Sequence, residues 1–269
     1  MKGLSKNMSL VASIFLFVSV FIVWQISWFI IRSFTLPTLV YYALDLAIPA
    51  INLLLFILFV KLSKSTFRDN GYRKPNTLTL SKCFVLTTFF ILFYIIFYII
   101  SGVLGAGLQF MIPVSPFRLL YRAVSAILYS LAAVSVFQGY IFRNLSRNYG
   151  FFSSLYASSL MFSLHRIPVL DLPSLNLGEV IFTNILIPLA ASLFLGFFFY
   201  KIGWSLLGPA IFYAGVWFFL NPQPLVSPLG VADWMALTFE ISTYAILILI
   251  VESVIAEPRY RRKRYGLES

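Results

Sequence analysis

Among the polar side chains inside the long apolar stretches of this chain, four are the main candidates for chemistry. They are Asp45, Gln138, His165 and Glu240. An ionisable group inside a bilayer is expensive, so Asp45 and Glu240 could form a proton or ion relay. Each could equally be a packing group that pairs with hydroxyls or backbone. A lone histidine such as His165 is more often a satisfied core residue than a ligand.

The chain has one histidine, His165, and one cysteine, Cys83. Sites that need two histidines, including zinc sites on helices, are therefore excluded. Cys83 has no second cysteine with which to form a disulfide inside the chain. We expect neither a metal ion nor a cofactor.

The composition indicates where these residues must lie. Of 269 residues, 60% are hydrophobic and 11% are charged, and the mean hydropathy is +0.91. An average soluble domain has about 25% charged residues. A chain this poor in charge cannot cover a water-facing surface, which excludes a soluble enzyme, a disordered protein and a secreted disulfide scaffold. The predicted fold class is all-α, a polytopic transmembrane helix bundle.

About eight spans are predicted, since a helix needs about 20 apolar residues to cross the hydrocarbon core. Their approximate bounds are 8–31, 37–60, 83–112, 119–142, 151–167, 180–200, 203–220 and 232–255. The runs are continuous, without the two-residue alternation of barrel strands. The span 151–167 is the weakest, because Arg166 and Pro168 interrupt its end. The polar stretch from Lys61 to Lys82 is predicted to be an ordinary connecting loop.

The basic residues predict the orientation, because cytoplasmic loops are enriched in Lys and Arg. With eight spans, four of the 20 Lys and Arg residues fall on the side opposite the N-terminus, and the remaining 16 fall on its own side. The four are Arg32, Arg118, Arg122 and Arg166. Both termini are therefore expected in the cytoplasm. The expected location of the protein is the plasma membrane.

The C-terminal run Arg259–Arg264 holds five basic residues among the last eleven of the chain. We interpret it as a topology signal after the last span, with attraction to lipid headgroups as the alternative. A short tail lacks the folded or aromatic context that nucleic-acid binding requires. The expected partners are membrane lipid and a membrane peptide or partner helix, not nucleic acid.

Longer sequence patterns are more specific than single residues. Residues 138–143 end in Arg143, residues 158–165 end in His165, and residues 194–213 run from Phe194 to Tyr213. Together with the loop 66–75, these segments resemble the CAAX-protease and bacteriocin-processing family of intramembrane proteases, also called the Abi family. The resemblance covers roughly residues 62–220 and implies a core with about this number of helices.

That family has the motifs Glu-Glu-x-x-x-Arg, Phe-x-x-x-His and His-x-x-x-Asn, in that order. In this chain the matching positions are Gln138, Gly139 and Arg143, then Met161 and His165, then Tyr213 and Trp217. The arginine and one histidine are kept. The glutamate pair, the second histidine and the asparagine are replaced.

The replaced positions are those that would carry the reaction. In the family, the resemblance implies, a glutamate acts as general base on water with help from histidines, and the asparagine stabilises the oxyanion. The neutral amide of Gln138 cannot take a proton, and Gly139 has no side chain. A positioned acid–base group contributes ~10²–10⁴-fold and an oxyanion donor ~10²–10³-fold. The chain is therefore predicted to be a degenerate, non-proteolytic member of that fold.

Two local hypotheses accompany this prediction. Arg143 either extends to lipid headgroups or braces the old cavity. Gly208 and Pro209 are expected to break the hydrogen-bond ladder of the seventh span and re-aim Tyr213.

Three functions remain open at this point. The first is a membrane scaffold or binding protein that uses the old protease cavity. The second is an active peptidase for CAAX-type or other membrane peptides, with Glu240 or Asp45 as its carboxylate. The third is a proton-coupled transporter built on the same two carboxylates, although the sequence has no inverted repeat. The expected organisation is two N-terminal transmembrane helices in 1–61, the protease-like core in 62–220, and a last helix with the basic tail in 221–269.

Overall fold

Long helices form because the chain is apolar over most of its length and a helix satisfies its backbone groups within one segment. The computed structural model describes residues 6–73, 77–104, 108–110, 115–167, 169, 180–220, 226–228 and 233–255. Within these ranges the main helices are α1 (Lys6–Ser33), α2 (Thr38–Leu62), α3 (Thr77–Leu104), α4 (Pro116–Tyr149), α5 (Phe151–His165), α6 (Ile187–Lys201), α7 (Leu207–Leu220) and α8 (Asp233–Ile250). The predicted all-α fold class is confirmed.

Most of the described helices have the length and composition of membrane spans. Five stretches are long and apolar enough to cross a bilayer: Asn7–Ser33, Thr38–Leu62, Thr77–Phe97, Pro116–Tyr149 and Asn184–Lys201. Shorter apolar helices cover Leu207–Phe219 and Ile241–Ser253. Helix α5 has 15 residues, about 22 Å at 1.5 Å per residue, which is less than the hydrocarbon thickness. The chain is an integral, multi-pass helical membrane protein.

Three π-helical stretches adjoin or interrupt these helices in the described chain. Val180–Leu186 precedes α6, Val251–Ile255 follows α8, and Val134–Phe142 lies inside α4. All nine residues of the stretch in α4 are buried. Such stretches occur often at functional sites, and this one contains Gln138 and Gly139.

Helix α4 lies at the centre of the bundle. Helices α2 and α7 pack along it, and α3 packs on the outer side of α7. Helix α1 packs against α2 and against the last turns of α4. Helices α5 and α6 pack against each other and contact the π-helical stretch, and α8 packs against α6. The helices of the predicted N-terminal part and of the predicted core therefore contact each other directly.

Helix α3 differs in register from the predicted span 83–112. It begins at Thr77 and ends at Leu104, because the polar residues before Cys83 join its first turns although hydropathy places them outside. Strand β1 (Leu108–Phe110) lies beyond its end and pairs antiparallel with β2 (Val226–Pro228), with Gln109 opposite Ser227.

The expected kink at Gly208 and Pro209 is absent from the described α7. The helix begins at Leu207, so Pro209 lies in its first turn. A backbone N–H at that point has no acceptor within the helix, and proline there breaks no hydrogen bond. That prediction was wrong because the helix starts later than the apolar run.

The segment between α2 and α3 is not an ordinary connecting loop, contrary to prediction. It contains a short 3₁₀ helix, Arg68–Asn70, whose Asn70 is buried. Leu206 donates its backbone N–H to the Gly71 carbonyl oxygen at 2.9 Å. The Tyr72 hydroxyl lies 2.7 Å from the Ser135 hydroxyl of α4. We call residues 66–73 the docking loop, because they bind the π-helical stretch and the segment before α7.

Candidate functional site

The main candidate site is a small buried cavity in the middle of the bundle, which we call the central cavity. Residues of α1, α2, α4, α5 and α7 line it, together with Arg166. Its water-accessible volume is about 20 Å³. A water needs about 10–15 Å³ by this measure, so the cavity holds about one water.

Aromatic rings form most of the cavity wall. The ring of Tyr129 stacks on that of Trp217 with centroids 4.7 Å apart. The imidazole of His165 lies 4.8 Å from the ring of Phe137 and 5.8 Å from that of Trp24. The space that these rings enclose is about the size of one water and is too small for a peptide.

His165 is buried, and one of its ring nitrogens is already bonded. Its Nδ1 donates to the Phe162 carbonyl oxygen at 2.5 Å. Because a carbonyl oxygen can only accept, Nδ1 carries the hydrogen, and in the neutral ring Nε2 is the acceptor. His165 therefore has one nitrogen that could accept a hydrogen bond from a water in the cavity.

Tyr213 and Trp217 also line the cavity, and both contact the guanidinium group of Arg166. Arg166 donates from Nη1 to the Tyr213 hydroxyl oxygen at 2.8 Å. Its guanidinium carbon lies 5.0 Å from the centre of the Trp217 ring. The positions that match the family's second histidine and its asparagine thus hold a phenol and an indole, both fixed by Arg166.

Two buried polar atoms of the cavity wall have no hydrogen-bond partner among the described residues. They are Trp24 Nε1, a donor, and Asn52 Oδ1, an acceptor. Each is a group to which a water in the cavity could bond, since buried water binds polar groups of this kind.

Asp45 joins the cavity through Tyr129. The Tyr129 hydroxyl donates to Asp45 Oδ1 at 3.0 Å, and the Ser125 hydroxyl donates to Oδ2 at 3.4 Å. Tyr121 also donates to Oδ2. The ring of Tyr129 lines the central cavity, so this carboxylate lies one side chain away from it.

The first-motif positions face away from the cavity. Gln138 is fully buried, and its Nε2 donates to the Ser192 hydroxyl of α6 at 3.0 Å. A Cβ on Gly139 would lie 2.8 Å from the Asn70 carbonyl oxygen of the docking loop. The Arg143 guanidinium carbon lies 3.8 Å from the centre of the Trp204 ring. Arg143 therefore contacts the segment between α6 and α7 through Trp204.

The structure thus divides the six predicted positions into two groups of three. His165, Tyr213 and Trp217 surround the central cavity, while Gln138, Gly139 and Arg143 contact α6, the docking loop and Trp204. Glu240 belongs to α8, which packs against α6 and, through Phe239, against α3. The basic run Arg259–Arg264 lies outside the described residues.

Several residues that line the central cavity or bond to Asp45 were not singled out from the sequence. Tyr121, Ser125 and Tyr129 follow one another at four-residue intervals, a spacing that places hydroxyls on one helix face and could have indicated a partner for Asp45. Asn52 is a polar residue in an apolar span and was detectable in the same way. Trp24 gave no such signal, because a tryptophan in a span is compatible with simple packing.

Within the described residues, no group of three or more His, Cys, Asp or Glu side chains is placed to hold a metal ion. The polar groups present can hydrogen-bond one water, at His165 among others, and hold a carboxylate nearby. No protein-family model, curated protein or solved structure matches this chain.

Proposed function

We propose that this chain is a degenerate relative of the CAAX-protease and bacteriocin-processing family that acts as a membrane-embedded binding protein and not as a protease. One observation carries the proposal. The position that should supply the general base, Gln138, bonds to Ser192 and faces α6, whereas His165 lines a cavity with space for one water.

Peptide hydrolysis would need an ionisable group within hydrogen-bond reach of the attacking water. Gln138 is not ionisable and lies on the far side of α4 from the water-sized space. The Tyr213 hydroxyl, at the position of the second histidine, accepts a hydrogen bond from Arg166. The groups that remain therefore support retention of the fold without the family's chemistry.

A second candidate is an active peptidase that uses Asp45, and one contact favours it. Tyr129 bonds to Asp45 and its ring lines the same cavity as His165. A carboxylate and an imidazole connected in this way could share the activation of a water. Glu240 receives less support as the alternative carboxylate, because its helix packs against α6 and α3.

The proposed setting is the cell membrane with both termini in the cytoplasm. The proposed partners are membrane lipid and a membrane peptide or partner helix. The excess of basic residues on the side that holds the N-terminus supports this orientation.

The test is a cleavage assay on the purified protein in lipid nanodiscs, with a prenylated CAAX peptide and a mixture of membrane peptides as substrates. Three proteins are compared: the native chain, the triple variant Gln138→Glu, Tyr213→His, Trp217→Asn, and the variant Asp45→Asn. Gly139→Glu is left out, because its Cβ would clash with the Asn70 carbonyl oxygen.

We expect no cleavage by the native chain. Cleavage by the triple variant alone would support descent from a protease with the surrounding bundle intact. Cleavage by the native chain would overturn the proposal, and its loss in Asp45→Asn would establish the second candidate instead.

A further inference from the structure

A second and larger cavity lies at the surface, between the first turns of α1 and the last turns of α2. Its volume is about 480 Å³, within the range of roughly 300–1,000 Å³ that small-molecule sites have. Tyr140 of the π-helical stretch contributes to its lining. We call it the α1–α2 groove.

The walls of the α1–α2 groove are apolar and open sideways. Met8 is 59% exposed, Phe15 63% and Leu62 68%. Phe59 and Tyr140 lie deeper, with ring centroids 6.0 Å apart. In a multi-pass membrane protein such a surface faces the hydrocarbon, and a hydrocarbon chain is the occupant that matches its lining.

One end of the groove is polar, and the groove extends from it into the apolar part of α1. Asn7 and Ser63 lie at the polar end. From Met8 to Phe15 the helix rises about 10 Å, at 1.5 Å per residue. The polar end therefore marks the headgroup region, and the rest of the groove reaches into the acyl chains.

The polar end is also basic. Lys61 in the last turn of α2 and Lys64 just after it are both exposed. Neither forms an ion pair with another described residue. Two unpaired ammonium groups beside an apolar groove complement a ligand with a long chain and a negative headgroup.

We propose that the α1–α2 groove binds one acyl chain of an anionic phospholipid, with its phosphate between Lys61 and Lys64. This inference rests on the proposed binding function, for which it names a ligand. The lipid belongs to the leaflet on the side of the N-terminus, where anionic headgroups attract basic segments.

The test is native mass spectrometry of the full-length protein released from detergent, after addition of phosphatidylglycerol or of phosphatidylcholine with the same acyl chains. A lysine near an anionic headgroup contributes about 1 kcal/mol to binding. With two lysines, the native chain should retain phosphatidylglycerol about tenfold or more better than phosphatidylcholine. The double variant Lys61→Gln, Lys64→Gln should lose this preference and still bind both lipids weakly.

Filling the groove should remove both lipids. Ala12 lines it, so Ala12→Trp is the first variant, and Val11→Trp is the second in case the first unfolds, with thermal unfolding measured for each. Arg118 is exposed at the opposite end of the bundle, and Arg118→Gln is the matched control that should leave retention unchanged.

Equal retention of the two lipids by the native chain would overturn the proposal. So would retention that both filling variants leave intact, or a dimer that they dissociate, since a second copy would then occupy the groove. Because lipid retention and peptide cleavage are measured separately, a failure here leaves the absence of proteolysis standing.

Discussion

Asp45 illustrates how a single carboxylate is kept inside the bundle. Among the described residues, no Lys or Arg lies within ion-pair distance of it. Its oxygens instead accept hydrogen bonds from Tyr121, Ser125 and Tyr129 of α4. Three hydroxyls at four-residue intervals replace the hydration that a bilayer denies. The same bonds tie α2 to α4 beside the central cavity.

Removal of one of these hydroxyls should weaken the bundle by a measurable amount. We expect Tyr129→Phe to lower the free energy of unfolding by about 0.5–2 kcal/mol, as for hydrogen bonds between helices in membranes and to charged groups. Asp45→Asn should lower the free energy of unfolding by at least as much, because the amide NH₂ group would replace an oxygen that accepts hydrogen bonds from these hydroxyls. The measurement is thermal or denaturant unfolding in detergent micelles.

Ser19→Ala supplies the control for that comparison. The Ser19 hydroxyl donates to the Phe15 carbonyl oxygen of its own helix at 2.9 Å and is exposed, so its loss should change stability little. If Tyr129→Phe were as stable as Ser19→Ala, the hydroxyls around Asp45 would not hold α2 and α4 together.

At the scale of elements, the docking loop and the π-helical stretch of α4 form one unit. Thr66 begins the loop, and its hydroxyl donates to Asp69 Oδ2 at 2.7 Å. This bond holds the pKa of Asp69 below its usual range. At its other end, Gly71 has a φ of +97° and lies against Phe199 and Leu206. Only glycine combines that φ with so close an approach.

Gly139 controls how closely this unit packs. A methyl group there would lie 2.8 Å from the Asn70 carbonyl oxygen, which is backbone and cannot rotate away. We expect Gly139→Ala to destabilise the protein by about 1–3 kcal/mol, the cost of overpacking, although alanine favours a helix. Limited proteolysis between residues 63 and 76 should speed up, because the loop must move outward.

Gly196→Ala in α6 is the comparison for that variant. Its nearest neighbour is Cδ1 of Leu155, the far end of a flexible side chain, which can rotate to make room. Equal proteolysis of the two variants would mean that the docking loop does not depend on Gly139.

Most of the helices were predictable because a bilayer span requires an apolar run of about 20 residues, whereas the bounds of α3 and α7 did not follow from hydropathy. Asp45 and His165 were recognisable for the same reason, since polar groups stand out in apolar spans. The docking loop was not predictable from the sequence. Its contact with α4 depends on Gly139 and on backbone carbonyl groups, which have no sequence signature. The α1–α2 groove was missed because it results from the angle between two helices, which their apolar residues do not specify.

At the scale of the whole molecule, charge separates the two ends of the bundle. Arg118 and Arg166 lie at the end where α1 finishes and α2 begins, whereas Lys64, Arg68 and Arg147 lie at the other. The central cavity and Asp45, with the hydroxyls that bond to it, lie toward the end of the bundle with few basic residues. The α1–α2 groove belongs to the basic end. The buried cavity and the surface groove therefore lie toward opposite ends of the bundle.

This arrangement makes the orientation of the protein testable with two single cysteines. The buried Cys83 is first replaced in a Cys83→Ala background. Ser33, the last residue of α1, and Lys64, after α2, are both exposed. In intact cells we expect a membrane-impermeant maleimide to label Ser33→Cys and to reach Lys64→Cys only after permeabilisation, since the proposed orientation places the basic end in the cytoplasm.

The reverse labelling pattern would place the N-terminus outside and would require the basic loops to have crossed the membrane. It would also move the α1–α2 groove to the outer leaflet, where the anionic lipid of the cytoplasmic leaflet is scarce. Labelling of both cysteines in intact cells would contradict a membrane-spanning α2. Because α2 carries Asp45 near one end and Lys61 near the other, the labelled side decides which leaflet each of these residues faces.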